Sequence, residues 1–123
     1  MLNLLEQIRA ALDTLEPRLD GRIVDVEMPR LFVEAGDVDA MHRVLVAVIG
    51  RGVDSYAGTI TVRTVKWRGK ARLEVTGEAV ASDAAGFDEA AIADDLAVLA
   101  GAVGTDGPVG WLAVPLAGEN SAE

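Results

Sequence analysis

The stretch GTITVRTVKWRGKARLEVTGEAV, residues 58–80, indicates the fold more clearly than any other part of the chain. Its two halves, residues 58–67 and 71–80, are rich in β-branched residues that alternate with polar ones, which is typical of strands. Arg68-Gly69-Lys70 separates the halves, and a glycine in so short a connection favours a tight turn. The stretch therefore predicts a β-hairpin with Gly69 at its turn.

A helix and two strands are predicted at the start of the chain. Residues 3–16 place apolar residues at helical spacing, with Asn3 as N-cap, and Pro17 is expected to end this helix. Residues 22–28 (RIVDVEM) alternate in the manner of a strand with one buried face. Residues 31–35 (LFVEA) are interpreted as a second, shorter strand.

A second helix is predicted directly before the hairpin. Asp37 is its expected N-cap, and two glycines, Gly50 and Gly52, each weaken the last turn by roughly 1 kcal/mol relative to alanine. The helix is therefore expected to end near Gly52. Its predicted inner stripe consists of Val38, Met41, Val44, Leu45, Val48, Ile49 and Gly52.

A third helix and a last strand are predicted after the hairpin. Asp88 is the expected helix cap, and Phe87 and Ile92 form a hydrophobic staple around it. The helix is expected to end at residues 101–104, the sequence TDGP to form a turn, and residues 109–116 to form the last strand. The predicted inner stripe of this helix is Ile92, Leu96, Leu99 and Val103.

The order of these elements predicts an α+β fold. Helices separated by an antiparallel hairpin favour a two-layer α/β sandwich, with the helices on one face of a mixed sheet. The chain has 123 residues, which is enough for one hydrophobic core. Residues 1–117 are accordingly predicted to form one domain, and residues 118–123 a disordered tail.

The composition excludes several classes of function. The chain has no cysteine, so disulfides and thiolate metal sites are ruled out, and a cytoplasmic location is expected. No apolar run reaches the ~20 residues that cross a bilayer, so no membrane insertion is expected. The net charge is −9, and the basic residues are interpreted as dispersed, which predicts no binding of nucleic acid.

Four phrases of the chain, in order, resemble the catalytic, ATP-binding domain of bacterial sensor histidine kinases. Residues 2–29 (LNLLEQIRAALDTLEPRLDGRIVDVEMP) resemble the opening of that domain, and residues 34–54 (EAGDVDAMHRVLVAVIGRGVD) resemble its asparagine-box helix. Residues 58–77 and 109–117 are similar to the following hairpin and to the closing strand. The resemblance implies the Bergerat-type fold of the GHKL ATPase superfamily.

The resemblance also implies where a nucleotide would bind, and this chain departs from the family there. Ala47 and Arg51 stand where the family has two asparagines, the second of which binds magnesium; arginine has donors only and cannot ligate a cation. Gly77, Ala79 and Ala81 stand in place of Asp-x-Gly-x-Gly, whose aspartate binds adenine, and the extra strand before the closing strand is expected to be shortened away. The predicted vestigial pocket consists of Ala47, Arg51, Asp54, Gly77, Ala79 and Ala81.

These departures predict a degenerate domain, a pseudokinase with no catalytic residue, no metal and no cofactor. It would act as an interaction or regulatory module in two-component or phosphorelay signalling. Its expected partner is a protein: a helical histidine domain, a response regulator or a copy of itself. The alternative is a divergent catalytic domain that still binds ATP and magnesium, with Arg51 on the phosphates, and a third hypothesis is binding of another small acid.

Several other residues have more than one interpretation. Arg51 is either an anion contact or the partner of Asp54. His42 is interpreted as an exposed helix residue, Trp67 as either an interface anchor or a packing residue, and Trp111 as part of the core. The acidic residues near the third helix are interpreted as helix-start and surface charges instead of a cation site; they are Asp83, Asp88, Glu89, Asp94 and Asp95.

Overall fold

The computed structural model of the protein describes residues 2–81, 89–107 and 109–117. Along these residues, helices and strands follow one another in the order β1 (Leu2–Asn3), α1 (Leu4–Leu19), β2 (Val24–Glu27), β3 (Phe32–Val33), α2 (Val38–Ser55), β4 (Tyr56–Trp67), β5 (Lys70–Val80), α3 (Glu89–Leu99), β6 (Ala102–Asp106) and β7 (Val109–Pro115).

Five strands form a mixed sheet in the order β2-β4-β5-β7-β6. The β2–β4 pair is parallel and the other pairs are antiparallel, while β1 and β3 form a separate two-stranded pair. Helix α2 packs on β4, β5 and β7, and α1 and α3 each pack against α2. The predicted α+β sandwich, with helices on one face of a mixed sheet, is confirmed.

Helix α1 begins as predicted but continues beyond its proline. The side chain of Asn3 accepts a hydrogen bond from the backbone N–H of Leu5 at 3.1 Å. The prediction that Pro17 ends the helix is wrong, because the helix runs to Leu19, whose side chain is buried in the core at 8% exposure. A proline near a helix end removes only one hydrogen bond. Asp20, in the left-handed conformation (φ 50°), ends the helix instead.

Helix α2 also extends further than predicted. Asp37 caps it, accepting from the backbone N–H of Ala40 at 3.0 Å, as expected. The predicted end near Gly52 is wrong, since the helix continues to Ser55. A Cβ at Gly52 would overlap the side chain of Val75, so this glycine serves close packing and does not stop the helix.

The predicted inner stripe of α2 is correct except at its first member. Val38 is 50% exposed, so its assignment to the core side is wrong; it is the first residue of the helix. The other members are all buried: Met41, Val44, Leu45, Val48, Ile49 and Gly52.

The β4–β5 hairpin is confirmed. Trp67 pairs with Lys70, and the two turn residues Arg68 (φ 52°) and Gly69 (φ 78°) are both left-handed, as a tight hairpin turn with matching twist requires. Strand β4 begins two residues before the predicted boundary, at Tyr56, and carries a bulge at Gly58 (φ 75°).

The strand that the sequence was expected to lack is present as β6. Helix α3 ends at Leu99, where Gly101 N donates to Leu96 O at 2.9 Å and Ala100 takes the left-handed conformation (φ 52°). The prediction of a helix reaching residues 101–104 is therefore wrong. Val103 fits the helical stripe by spacing alone, but it belongs to β6 and packs on the core from there.

Some predictions fall on residues that the structure does not describe. These are the Asp88 cap, the staple formed by Phe87, and the tail at residues 118–123. The boundary of a single domain at residue 117 stays a prediction.

Candidate functional site

The two positions of the asparagine box lie one turn apart on α2. Ala47 is half-buried and packs against the core. Arg51 is half-buried as well, and its backbone carbonyl accepts a hydrogen bond from Ser55 Oγ at 2.7 Å. Because a guanidinium has donors only, this position offers no ligand to a cation.

Asp54, the acidic position that matches the family, contacts helix α1. Arg18 Nη2 donates to Asp54 Oδ2 at 2.7 Å and also reaches Gly50 O at 3.3 Å. A Cβ at Gly50 would come within 2.8 Å of Arg18 Nη1, so the glycine makes room for this guanidinium. No local pattern marks Arg18 as the partner of Asp54, because the two residues are 36 positions apart along the chain.

Gly77 stands at the position where the resembled family has its adenine-binding aspartate, and it lies directly against Tyr56. A Cβ at Gly77 would meet Tyr56 Cγ at 2.8 Å and Tyr56 Cδ1 at 3.1 Å. Tyr56 itself is 5% exposed and belongs to the core. Any side chain at residue 77 therefore displaces the Tyr56 ring.

The other two strand positions lie at the exposed end of β5. Ala79 pairs with Ala57, and the backbone N–H of Ala81 donates to Ser55 O at 2.8 Å. The fold thus brings Gly77 and Ala81 beside Tyr56 and Ser55, at the C-terminal end of α2. Ala47 lies two helical turns back from that end.

Arg22 is a structural residue that the sequence analysis missed. Its side chain donates to three backbone carbonyls, those of Val53 at 3.0 Å, Tyr56 at 2.6 Å and Gly58 at 3.0 Å. These hydrogen bonds hold the direct passage from α2 into β4. The sequence placed Arg22 at the start of a strand, where nothing marks it as a long-range donor.

His42 of α2 and Asp95 of α3 make ordinary surface contacts. His42 Nε2 lies 2.9 Å from Thr14 Oγ1 on α1. Asp95 accepts from Arg43 Nη2 at 2.7 Å and from Arg43 Nε at 3.0 Å. These hydrogen bonds lower the pKa of Asp95 and raise that of Arg43.

The described residues contain no group of three or more side chains that could hold a metal ion. Asp83 and Asp88 lie outside those residues.

The two tryptophans lie on the outer face of the sheet, away from the helices. Trp67 is 42% exposed, as one of its two interpretations requires. The prediction that Trp111 is a core residue is wrong, because Leu112 and Val114 point inward and the alternation of the strand turns Trp111 outward. Since VGWLAVPL is almost entirely apolar, its sequence does not show which alternate residues face the core.

Comparison with known proteins bears on the fold. No protein-family model and no curated protein matches the chain. Among solved structures, a mycobacterial sensor histidine kinase, MprB, is similar over 94% of this chain and 95% of its own, with TM-score 0.69 and 14% identity. The catalytic domain of histidine kinase ThkA, in a nucleotide-free form, is similar over 93% and 94%, with TM-score 0.62 and 16% identity.

The chain has the fold of a histidine kinase catalytic domain. The resemblance inferred from its sequence is thereby confirmed at the level of the fold. The Acinetobacter baumannii histidine kinase AdeS is similar over 94% of this chain but only 65% of its own, with TM-score 0.65 and 16% identity. The chain thus spans less than two thirds of that kinase. None of the helices described here is both long enough and apolar enough to span a lipid bilayer.

Proposed function

We propose that this kinase-like fold is an interaction or regulatory module of two-component signalling that no longer binds ATP. In this proposal the cluster at the end of α2 is a vestigial nucleotide pocket. The module acts in the cytoplasm and its partner is another signalling protein, not a nucleotide or a nucleic acid.

The contact between Tyr56 and Gly77 carries the proposal. A nucleotide site of the resembled family needs an aspartate at residue 77, and here the Tyr56 ring fills the space that such a side chain would take. Losing a buried hydrogen-bond partner from a ligand site weakens binding by about 1–3 kcal/mol, which is roughly ten- to a hundredfold.

The residues on α2 do not fit magnesium either. Arg51 stands at the position of the family's metal ligand and brings a positive charge instead of a lone pair. Phosphoryl transfer depends on metal-held positioning and charge stabilisation, so a pocket of this composition supports no catalytic step.

The exposed face of α3 suits a helical partner. The exposed residues of α3 are mostly small or apolar, which allows close approach of another helix, and Val98 is among them. They are Ala90, Ala91, Ala93, Ala97 and Val98. A helical histidine domain, a response regulator or a second copy of the chain are the candidate partners, in keeping with the similarity to kinases such as AdeS and MprB.

Isothermal titration with ATP, with and without magnesium, tests the loss of nucleotide binding. We expect no saturable heat at ATP concentrations up to about 1 mM. A histidine kinase catalytic domain with an intact asparagine box, titrated under the same conditions, serves as the positive control. Saturable binding below about 1 mM in the presence of magnesium contradicts the proposal.

Arg51→Ala separates the proposal from its alternative, a divergent nucleotide site. If metal-free ATP binds the chain and Arg51→Ala abolishes that binding, Arg51 is a phosphate contact and the pocket is functional. A thermal-shift screen of small carboxylic and phosphorylated acids addresses the third hypothesis, because a ligand at a hundred times its Kd stabilises the folded state by about 2.7 kcal/mol.

A further inference from the structure

The basic residues of this acidic protein are concentrated in one hairpin. Five of its 11 lysines and arginines lie within residues 63–72, a segment without any acidic residue. The rest of the chain therefore carries six basic residues against 20 acidic ones. The prediction that the basic residues are dispersed is wrong for this segment.

Three side chains of the hairpin and β7 form a stack on the outer face of the sheet. The guanidinium carbon of Arg72 lies 5.6 Å from the ring centre of Trp67 and 5.0 Å from that of Trp111. Arg68 lies over Trp67 as well, at 5.2 Å. Arg72 Nε donates to Glu74 at 3.1 Å, which leaves the outer edge of this guanidinium available to a further acceptor.

Two further cations flank this stack. Arg63 and Lys70 make no ion pair within the described part of the chain. A hollow of about 180 Å³ lined by Arg63, Val65 and Glu74 lies beside them. No helix of the described chain covers this side of the sheet, since the helices pack on the opposite face.

We propose that this surface binds an acidic segment of a partner protein in extended conformation. We call it the tryptophan–arginine face, and it consists of Arg63, Val65, Trp67, Arg68, Lys70, Arg72 and Trp111. The proposal does not rest on the loss of ATP binding, because the face lies on the other side of the sheet from the vestigial pocket.

The spacing of the cations determines the form of the ligand. Arg63, Arg72 and Lys70 stand in three successive rows of the sheet, as shown by the pairs Arg63–Glu74, Val65–Arg72 and Trp67–Lys70. Glu27 and Glu74 flank Arg63 within its row, so the charge that attracts a carboxylate is strongest at the rows of Arg72 and Lys70. Rows on one face are two residues apart, or about 6.6 Å along the strand. An extended peptide with acidic residues at alternate positions presents its carboxylates at the same spacing.

The packing of the Trp67 and Trp111 rings favours a protein ligand over a nucleic acid. Base stacking needs an open ring face. Trp67 has Arg72 and Arg68 against it, and Trp111 lies between Arg72 and Gly104, where a Cβ would come within 2.8 Å of its Cε2 atom. The net charge of −9 also opposes a phosphate backbone, whereas a stacked guanidinium is well prepared for a carboxylate.

Binding is tested on the whole chain with an eight-residue peptide of alternating glutamate and serine. The chain contains two tryptophans and both lie on this face, so intrinsic tryptophan fluorescence reports binding directly. We expect saturable binding, weakened at least threefold when the same four glutamates are contiguous. A peptide with lysine in place of glutamate should not bind.

Single-site variants show whether the proposed face is responsible. Arg63→Gln and Lys70→Gln should each weaken binding about fivefold, since each removes one charge contact with the peptide. Arg9→Gln removes the same charge from the exposed face of α1 and should change the Kd less than twofold. Both test residues are exposed side chains, so the variants should remain folded, and thermal unfolding serves as the check.

Four results would overturn the proposal. They are an absence of binding at about 1 mM peptide, equal binding of the contiguous isomer, an equal loss in Arg9→Gln, and tighter binding of a single-stranded oligonucleotide or of phosphatidylserine vesicles than of the alternating peptide.

Discussion

At the scale of single residues, two positions on the inward-facing side of the strands, where large apolar side chains are expected, hold a polar residue and a glycine. Thr64 points into the core from β4 at 1% exposure, and its hydroxyl has no hydrogen-bond partner in the described part of the chain. Gly77 sits beneath the Tyr56 ring. Both positions can be tested by measuring the free energy of unfolding.

Thr64→Val should stabilise the protein by about 1 kcal/mol. The substitution replaces an unsatisfied buried hydroxyl by a methyl group of similar size, and leaving such a group unpaired costs about 1–3 kcal/mol. Urea denaturation measures the change. Thr61→Val, on the half-exposed outer face of the same strand, is the matched control and should lie within about 0.5 kcal/mol of the wild type. Destabilisation by Thr64→Val would show that the hydroxyl has a partner after all.

Gly77→Ala should destabilise the protein by about 1–3 kcal/mol, because the added Cβ overlaps the Tyr56 side chain in a packed core. Gly101→Ala is the control: its nearest neighbours, from Val114, Ala113 and Leu96, lie at 3.1–3.5 Å and need to move only slightly. Equal effects of the two substitutions in urea denaturation would argue against the special role given to Gly77.

At the scale of elements, the boundary predictions were wrong at the C-terminal ends of the helices. A proline or a glycine ordinarily marks a helix end. Burial of Leu19 favours continuation of α1 past its proline, and the close packing of Val75 against Gly52 favours continuation of α2 past that glycine. The helices and the strands of the hairpin could be predicted because their apolar patterns repeat over many residues. Boundaries depend on tertiary contacts that a local pattern does not contain.

Ala100→Gly should stabilise the end of α3 by about 0.5–1 kcal/mol. Ala100 has φ 52°, and a side chain in the left-handed region costs energy that glycine avoids. Ala97→Gly, the same exchange on the exposed face of the helix, should destabilise by about 1 kcal/mol. Thermal unfolding of the two variants should therefore give Tm shifts of opposite sign, and shifts of the same sign would contradict this account.

The ion pair between Arg43 of α2 and Asp95 of α3 should make stability depend on pH. The pKa of Asp95 is lowered by its hydrogen bonds to Arg43, so its contribution is present above the unfolded-state pKa of about 3.9 and is lost as the pH falls through the lower folded-state value.

The Tm of Asp95→Asn should accordingly lie below that of the wild type at pH 7, and the difference should shrink as the pH falls below the unfolded-state pKa of about 3.9. Asp94→Asn removes the same charge without removing the partner of Arg43. A Tm difference between Asp95→Asn and the wild type that persists unchanged at low pH would rule out this ion pair as its source.

At the scale of the whole molecule, the charge is divided into a basic hairpin and an acidic remainder. Because net charge of one sign destabilises a compact state, screening should stabilise this protein. Raising sodium chloride from about 0.02 to 0.3 M shortens the Debye length several-fold and should raise the Tm by a few degrees. A fall in Tm over this range would mean that attractive pairs, such as those of Arg18 and Arg43, outweigh the repulsion.

The fold could be predicted from the sequence, but the candidate site only in part. The hairpin, the capped helix α2 and the resemblance to histidine kinases fixed the architecture, because they rest on long repeating patterns. The positions of Ala47, Arg51 and Gly77 on their elements followed from the same patterns. The roles of Arg18, Arg22 and Tyr56 did not, since each depends on a contact between residues distant in sequence.

Helix α2 passes into β4 without a single intervening loop residue, from Ser55 to Tyr56, under the three carbonyl contacts of Arg22. These hydrogen bonds restrain the junction against bending. The far tip of the hairpin lies 11 residues, or about 36 Å along the strand, from this junction, so a force applied to the helix is transmitted along β4 to that tip. A protein bound on the helical side and a ligand bound to the tryptophan–arginine face would therefore be mechanically coupled through this junction.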